Sequence, residues 1–220
     1  RTYCRVEILK WDSQYDMRYE LFNRLNTSGS SLTEQEIRNC IFRGYSNEFN
    51  EFLERVSKNE KFIEMMYLSE QKTLESYSQE LVLRIVSLYR NWDDISTKKM
   101  SAHMTIFMEN AVKNGFDYKI EDSLNTAIDI LHPLGFRIFR FNNGQLSTSL
   151  FDAIFVNIIR HIDEFKELEI EEIKEVIEIL KNDEEFRKYT GSDSSSKSRI
   201  KNRMKRAEIV FEEFLDGRKN

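Results

Sequence analysis

The chain has 220 residues and a net charge of −5, and 40% of its residues are hydrophobic while 32% are charged. These values are typical of a soluble globular protein, and the negative charge argues against a chain that binds nucleic acid over its whole surface. One proline and seven glycines favour long helices over a turn-rich β protein, and no apolar run reaches the roughly eighteen residues of a membrane span.

The first predicted element is a strand at residues 4–11, where Val6 and Ile8 alternate with charged residues. A lone strand leaves its backbone donors and acceptors unpaired. We therefore expect partner strands from an upstream part of the protein or from a protein partner. Cys4 and Cys40 lack the spacing of metal ligands, so they are interpreted as reduced thiols of a cytosolic protein.

Residues 21–44 predict a helix end, a turn and a second helix. The small polar residues at 26–31 favour the turn. Thr33 and Glu36 have the spacing of a capping box, in which each side chain bonds the backbone amide of the other. Ile37, Cys40 and Ile41 then form the apolar stripe that this second helix buries.

Apolar stripes at helical spacing predict further helices over residues 46–56, 62–67, 73–92, 98–114, 120–131, 147–162, 170–180 and 197–216. The helix at 147–162 is apolar on most of its surface, which predicts burial on more than one side. Residues 135–141 (GFRIFRF) alternate apolar and basic side chains and predict a short strand or extended segment. The fold is thus expected to be mainly α, a multi-helix bundle with one or two short edge strands.

Residues 22–39 resemble the signature of the GmrSD-type restriction endonuclease N-terminal domain family. That family has a ParB/sulfiredoxin-like domain and occurs in bacterial restriction and anti-phage defence proteins. The matching positions are Phe22, Arg24, Leu25, Asn26, Gly29, Leu32, Gln35, Glu36, Arg38 and Asn39. Weaker resemblance continues through the helix containing Glu80-Leu81-Val82-Leu83-Arg84, then Ser149-Leu150-Phe151-Asp152-Ala153, then Asp183-Glu184-Glu185-Phe186.

In that family an Asp-Gly-Gln-Gln-Arg segment hydrolyses nucleotide and supports DNA cleavage, and this sequence contains no such segment. The resemblance implies that the chain continues from an upstream ParB-like α/β part, which would bind a nucleoside triphosphate and a divalent metal. No cofactor, metal site or catalytic residue is predicted in the 220 residues themselves, and no activity is expected of them alone.

The resemblance also implies that Arg24, Asn26, Thr27, Gly29 and Arg38 border the nucleotide site. Small side chains let backbone amides approach a ligand, the helix after Thr33 could direct its positive end at an anion, and arginines hold phosphate through paired contacts. The alternative is structural: Asn26 and Arg38 only fix the corner, with Arg38 paired to a carboxylate.

The last predicted helix begins with a basic stretch, residues 197–206 (KSRIKNRMKR). On a helix, lysines at 197, 201 and 205 share one face, and such a face can follow a phosphate backbone. The stretch is expected to bind DNA through Lys197, Arg199, Lys201, Arg203, Lys205 and Arg206. The alternative is a solvated surface that pairs with Glu171, Glu172 and Glu175.

Two parts are predicted: residues 1–44 as the end of a ParB-like part, and residues 45–220 as a helical bundle. The predicted function is the helical portion of a GmrSD-like defence protein, which helps close the nucleotide site and contacts DNA. The alternative function is a non-enzymatic protein–protein interaction module that completes a partner's sheet with residues 4–11.

Overall fold

The computed structural model of the protein describes residues 32–95, 97–142, 144–191 and 193–218. Within these ranges the chain is mainly helical, which confirms the predicted fold class. No helix of the described ranges is both long enough and apolar enough to cross a membrane. The α-helices are α1 (Glu34–Phe42), α2 (Glu48–Ser57), α3 (Glu60–Met66), α4 (Glu70–Leu74), α5 (Tyr77–Asn91), α6 (Met100–Asn114), α7 (Ile120–Leu131), α8 (Thr148–Arg160), α9 (Ile162–Lys166), α10 (Ile170–Asn182), α11 (Glu184–Arg187) and α12 (Lys197–Gly217), and two 3₁₀ segments are η1 (His132–Leu134) and η2 (Phe136–Phe139).

Helix α8 lies at the centre of the bundle. Every residue from 149 to 159 is buried, and the helix packs against α5, α7, α12 and η2. Helix α5 is the second central element, because residues 81–88 are all buried and it contacts both α2 and α8. The prediction that residues 147–162 form a helix buried on more than one side is confirmed.

Helix α1 begins as predicted. The Thr33 amide donates to a Glu36 carboxylate oxygen at 2.7 Å, and the Glu36 amide donates to Thr33 Oγ1 at 3.3 Å. Ile37 and Ile41 are buried in the common core. Cys40 was expected in the same buried stripe, but it is a free, exposed thiol. Gln35 and Arg38 are buried instead, because α1 contacts α5 and α6 through its polar motif residues.

The prediction of one continuous helix over residues 73–92 is wrong. Helix α4 ends at Leu74, Ser76 has a left-handed backbone with φ +57°, and α5 begins at Tyr77. The Thr33 hydroxyl donates to the Glu75 carbonyl at 3.0 Å, and a continuous helix would instead bond that carbonyl to the amide of residue 79. Leu74, counted in the apolar seam, is 75% exposed.

The prediction of a strand or extended segment at residues 135–141 is also wrong. Phe136–Phe139 is a 3₁₀ turn, and both Phe139 and Arg140 are buried. The backbone closes its hydrogen bonds locally, from the Arg140 amide to the Arg137 carbonyl and from the Gly144 amide to the Phe141 carbonyl, each at 3.1 Å. Among the described residues no strand lies alongside, and the nearest approach to a sheet is an isolated antiparallel bridge between Lys99 and Ser196.

The predicted strand at residues 4–11 lies outside the described residues. The predicted boundary after residue 44 stays a prediction, although α1 contributes Ile37, Ile41 and Phe42 to the same core as the later helices.

Candidate nucleic-acid interface

Of the residues predicted to border a nucleotide site, Arg24, Asn26, Thr27 and Gly29 lie outside the described residues. Arg38 is fully buried. Its Nε donates to Gln35 Oε1 at 2.9 Å and its Nη2 to Glu80 Oε2 at 2.8 Å. Its guanidinium is therefore committed inside the protein, in the carboxylate pairing that the structural alternative describes.

The neighbouring residues with family resemblance also bond within the molecule. Asn39 Nδ2 donates to Gln79 Oε1 at 2.5 Å, and Gln35 Nε2 donates to Asn39 Oδ1 at 2.9 Å. Together with the Arg38–Glu80 ion pair, these bonds attach the polar side of α1 to the first turn of α5. In the described residues this part of the motif therefore holds two helices together.

A buried ion cluster joins the two central helices to α12. Arg84 donates to Asp152 through Nε at 2.5 Å and through Nη2 at 2.8 Å. Arg203 donates to the same carboxylate through Nη2 at 2.8 Å. Arg203 and Asp152 are completely buried. Sequence reasoning missed this cluster, although the only acidic residue among the apolar residues 149–159 was a usable signal.

The cluster carries more positive than negative charge, because two guanidinium groups share one carboxylate. Burial alone would lower the pKa of Arg84, but the charge and hydrogen bonds of Asp152 raise it above its usual value. Burial is the larger influence on Arg203 and keeps its pKa below the usual value. Arg203 donates only one hydrogen bond to Asp152, and its Nε has no partner among the described residues.

The six basic residues predicted to bind DNA separate into three groups. The prediction that Arg203 contacts DNA is wrong. Its side chain belongs to the buried cluster, so it is not accessible to a phosphate. Arg206 pairs with Asp183, with Nη2 at 2.7 Å from the carboxylate, and Arg199 donates to the Lys188 carbonyl at 2.8 Å. Lys197, Lys201 and Lys205 make no ion pair in the described ranges, and we call them the lysine face.

The lysine face meets a second basic element at the start of α6. Lys98 lines the same shallow depression, of about 490 Å³, as Lys197 and Lys201. Two backbone hydrogen bonds hold the segments together, from the Met100 amide to the Ser195 carbonyl and from the Lys197 amide to the Lys98 carbonyl, each at 3.0 Å. Sequence reasoning missed Lys98, because only the tertiary fold brings it to α12.

Both helices that begin at this junction lack acidic residues in their first turns, and neither has a side-chain cap. The N-terminus of a helix carries a partial positive charge and free backbone amides. In α6 and α12 these charges add to those of the nearby lysines. The junction can therefore attract a phosphate group through charge from both side chains and backbone.

Two of the three acidic residues proposed as alternative partners of the basic stretch, Glu171 and Glu172, pair elsewhere, and Glu175 makes no ion pair within the described ranges. Glu171 lies 3.8 Å from Lys174, and Glu172 pairs with Arg218. Within the described part of the chain, neither one contacts the lysine face. Among the residues that the structure describes, Asp183 is the only carboxylate that forms an ion pair with the predicted basic residues at the surface of α12, and it does so through Arg206.

No group of three or more histidine, cysteine, aspartate or glutamate side chains in the described ranges could hold a metal ion. His103 is buried, with Nε2 at 3.4 Å from the Ser87 carbonyl, and burial keeps its pKa below the usual value. His132 lies 2.7 Å from Glu64 near the surface. These contacts are those of structural histidines.

Comparisons of the chain with family models, with curated proteins and with solved structures gave no match. The resemblance to the GmrSD-type family therefore depends only on the residues quoted above.

Proposed function

We propose that this chain is the helical portion of a GmrSD-like restriction or anti-phage defence protein of the bacterial cytoplasm. In this role the lysine face contacts the phosphate backbone of DNA. An upstream Asp-Gly-Gln-Gln-Arg segment would hydrolyse nucleoside triphosphate, with its divalent metal, and license cleavage. The proposed contact between the lysine face and DNA requires neither the nucleotide nor the metal.

The observation that carries the proposal is the lysine face itself. Its three lysines repeat every four residues along α12, none is neutralised by a described carboxylate, and Lys98 extends the same positive surface. Charges in this arrangement bind phosphates without reading sequence, and they do so more weakly as salt rises, because salt opposes counterion release.

The overall charge of −5 is compatible with this role. Electrostatic contact depends on the local potential near the bound strand, since charges separated by more than about 8 Å are largely screened at physiological salt. A net negative protein can therefore bind DNA through a local basic surface, and contact through the lysine face would hold the described helices in one orientation on the duplex. That orientation would position an upstream catalytic part consistently relative to the duplex.

The test is the affinity of the 220-residue protein for a duplex of about twenty base pairs, measured at several salt concentrations. Reversing Lys197, Lys201 and Lys205 to glutamate should weaken binding by about tenfold or more and reduce the salt slope by about three, roughly one for each lysine. The reason is the loss of the phosphate contacts. Lys205 is exposed, Lys197 and Lys201 are half-buried, and none of the three belongs to the buried core.

The matched control reverses Lys58, Lys61 and Lys119, three exposed lysines away from α12, and so changes the net charge by the same amount. This variant should bind DNA within about twofold of the wild type. Equal weakening by both triple variants, or no salt-dependent binding by the wild type, would refute a specific role for the lysine face. Reversal at Arg203 is no substitute, because it would disrupt the core.

A further inference from the structure

A cavity of about 430 Å³ opens between the α3–α4 junction and the segment that follows η1. Its size falls in the range of small-molecule sites, about 300 to 1,000 Å³. The described residues that line it include two aromatic rings, Tyr67 and Phe136, and three cations, Lys72, Arg137 and Arg140, but no acidic residue. A flat apolar surface and uncompensated positive charge thus occur in one place.

The two rings form a stacking surface. Their centroids lie 4.8 Å apart with an angle of 24° between the planes. Phe136 covers one side of the Tyr67 ring, yet Tyr67 is still 70% exposed. A planar aromatic ligand can therefore extend the stack on the open side of Tyr67, as bases do on aromatic side chains of nucleic-acid-binding proteins.

Arg140 forms the floor of the cavity and is only 6% exposed. Its Nη1 donates to the Phe136 carbonyl at 2.5 Å, and its Nη2 donates to the Met66 carbonyl at 2.7 Å and the Tyr67 carbonyl at 3.3 Å. These three carbonyls hold the guanidinium in place, and none of them is charged. The Met66 and Tyr67 carbonyls lie at the C-terminal end of α3. Burial lowers the pKa of Arg140, and in the described ranges no carboxylate pairs with it.

Arg137 and Lys72 are the cations that a ligand can reach. Arg137 is exposed, with its guanidinium 6.0 Å from the centre of the Phe136 ring. Lys72 is half-buried, with its ammonium 4.7 Å from the centre of the Tyr77 ring. Neither forms an ion pair among the described residues, so both can accept an anionic group. The cavity therefore offers positive charge in the same space as the stacked rings.

The backbone at Tyr67 is strained. Tyr67 ends α3 with φ +45° and ψ +56°, a left-handed conformation that glycine or asparagine usually occupies at this position. An aromatic residue here costs on the order of 1–2 kcal/mol. The same conformation places the Tyr67 ring beside Phe136, and strain of this kind is typical of ligand-binding positions.

We propose that this cavity binds a nucleotide, with the base stacked on the open side of Tyr67 and the phosphate held by Lys72 and Arg137. A free mononucleotide and one unpaired nucleotide of a nucleic-acid strand share this chemistry. The site differs from the lysine face, which would contact only the phosphate backbone, and it does not depend on that contact.

The test titrates the 220-residue protein with deoxyadenosine monophosphate, with deoxyadenosine, with inorganic phosphate and with a six-nucleotide oligodeoxyadenylate, by calorimetry. The monophosphate or the oligonucleotide should bind at least tenfold more tightly than deoxyadenosine or phosphate, because only these probes use both the stack and the cations. Tighter binding of the oligonucleotide would identify a strand as the source, and tighter binding of the monophosphate a free nucleotide.

Two matched variants of Tyr67 distinguish the loss of ring stacking from a loss of folding stability. Tyr67→Asn removes the ring but suits the left-handed backbone, so it should weaken nucleotide binding about tenfold or more while the unfolding midpoint stays the same or rises. Tyr67→Phe keeps the ring and should bind within about twofold of the wild type. Arg137→Gln should weaken the phosphorylated probes and leave deoxyadenosine unchanged.

The triple reversal of the lysine face should leave monophosphate binding unchanged, so this test and the duplex-binding test fail independently. The inference is overturned if neither phosphorylated probe binds at millimolar concentration. It is also overturned if inorganic phosphate binds as tightly as the monophosphate and Tyr67→Asn has no effect, since the cavity would then hold an anion without a base.

Discussion

Asp152 is one carboxylate that two buried arginines share. It accepts two hydrogen bonds from Arg84 and one from Arg203. A buried ion pair adds little net stability over apolar residues of the same shape, but removing one partner leaves an uncompensated charge in the interior. Here the loss of the Asp152 side chain would leave two uncompensated buried charges, those of Arg84 and Arg203. Removing Asp152 should therefore destabilise the fold more than removing one partner of a simple ion pair.

Asp152→Ala should therefore lower the free energy of unfolding by about 3–5 kcal/mol in denaturant titration. Asp163→Ala is the matched control, because Asp163 pairs with Lys166 at 3.1 Å on the surface. That change should cost less than about 1 kcal/mol. Similar small losses in both variants would show that the buried cluster does not carry the stability assigned to it.

At the scale of elements, Asp183 ties the corner where α10, α11 and α12 meet. Its carboxylate accepts from the Phe186 amide at 2.6 Å, which caps α11, and from Arg206 Nη2 at 2.7 Å, which joins α12. The hydrogen bond from Arg206 is the main reason that the pKa of Asp183 lies below its ordinary value of 3.8. The negative charge of Asp183 is therefore stabilised by its protein partners at this corner, mainly by Arg206.

A carboxyl group with a lowered folded pKa stabilises the fold above its unfolded pKa and loses this contribution as the pH falls through the folded value. Asp183→Asn keeps an oxygen for the cap but loses the charge. It should be less stable than the wild type by about 1–2 kcal/mol at pH 7, and the difference should shrink as the pH falls below 3.8. Denaturant titrations across this range give the measurement.

Asp183→Ala removes the cap as well. It should lose about 1 kcal/mol beyond Asp183→Asn, and that extra loss should not vary with pH because it comes from the backbone amide. A difference between wild type and Asp183→Asn that stays constant from pH 7 to pH 3 would contradict the assigned role of the Arg206 pair.

At the scale of the whole molecule, the described α-helices other than α4 share one hydrophobic core. It extends from Ile37 in α1 to Leu215 in α12 and includes Trp92 at the end of α5. The buried ion cluster crosses the same core and connects α5, α8 and α12. Elements that share a continuous interior unfold together, because exposing one side leaves the facing side unpacked.

We therefore expect a single unfolding transition for the described part of the chain. The sequence has two tryptophans, Trp11 and Trp92, so Trp11→Phe leaves Trp92 as a fluorescence probe inside the core. Its fluorescence and the far-ultraviolet circular dichroism should give the same denaturant midpoint. Two separate midpoints would mean that the helices around Trp92 and the remaining helices form distinct units.

Local periodicity was sufficient for most of the helices. The capping box of Thr33 and Glu36, the buried helix around Phe151 and Phe155, and the last helix all follow from residues close together in sequence. These features depend on helical geometry and on bonds within one turn, so a single sequence contains them. The same information placed basic side chains every four residues along α12.

Tertiary packing decided which of those side chains are buried. Arg203 and Lys201 stand two residues apart in the same basic stretch, yet Arg203 is buried against Asp152 while Lys201 faces the depression beside Lys98. The helix break before Tyr77 also depends on tertiary structure. There the Glu75 carbonyl accepts a hydrogen bond from the hydroxyl of Thr33, which is distant in sequence. Periodicity defines the faces of a helix, but only the neighbouring elements determine which face meets protein and which meets water.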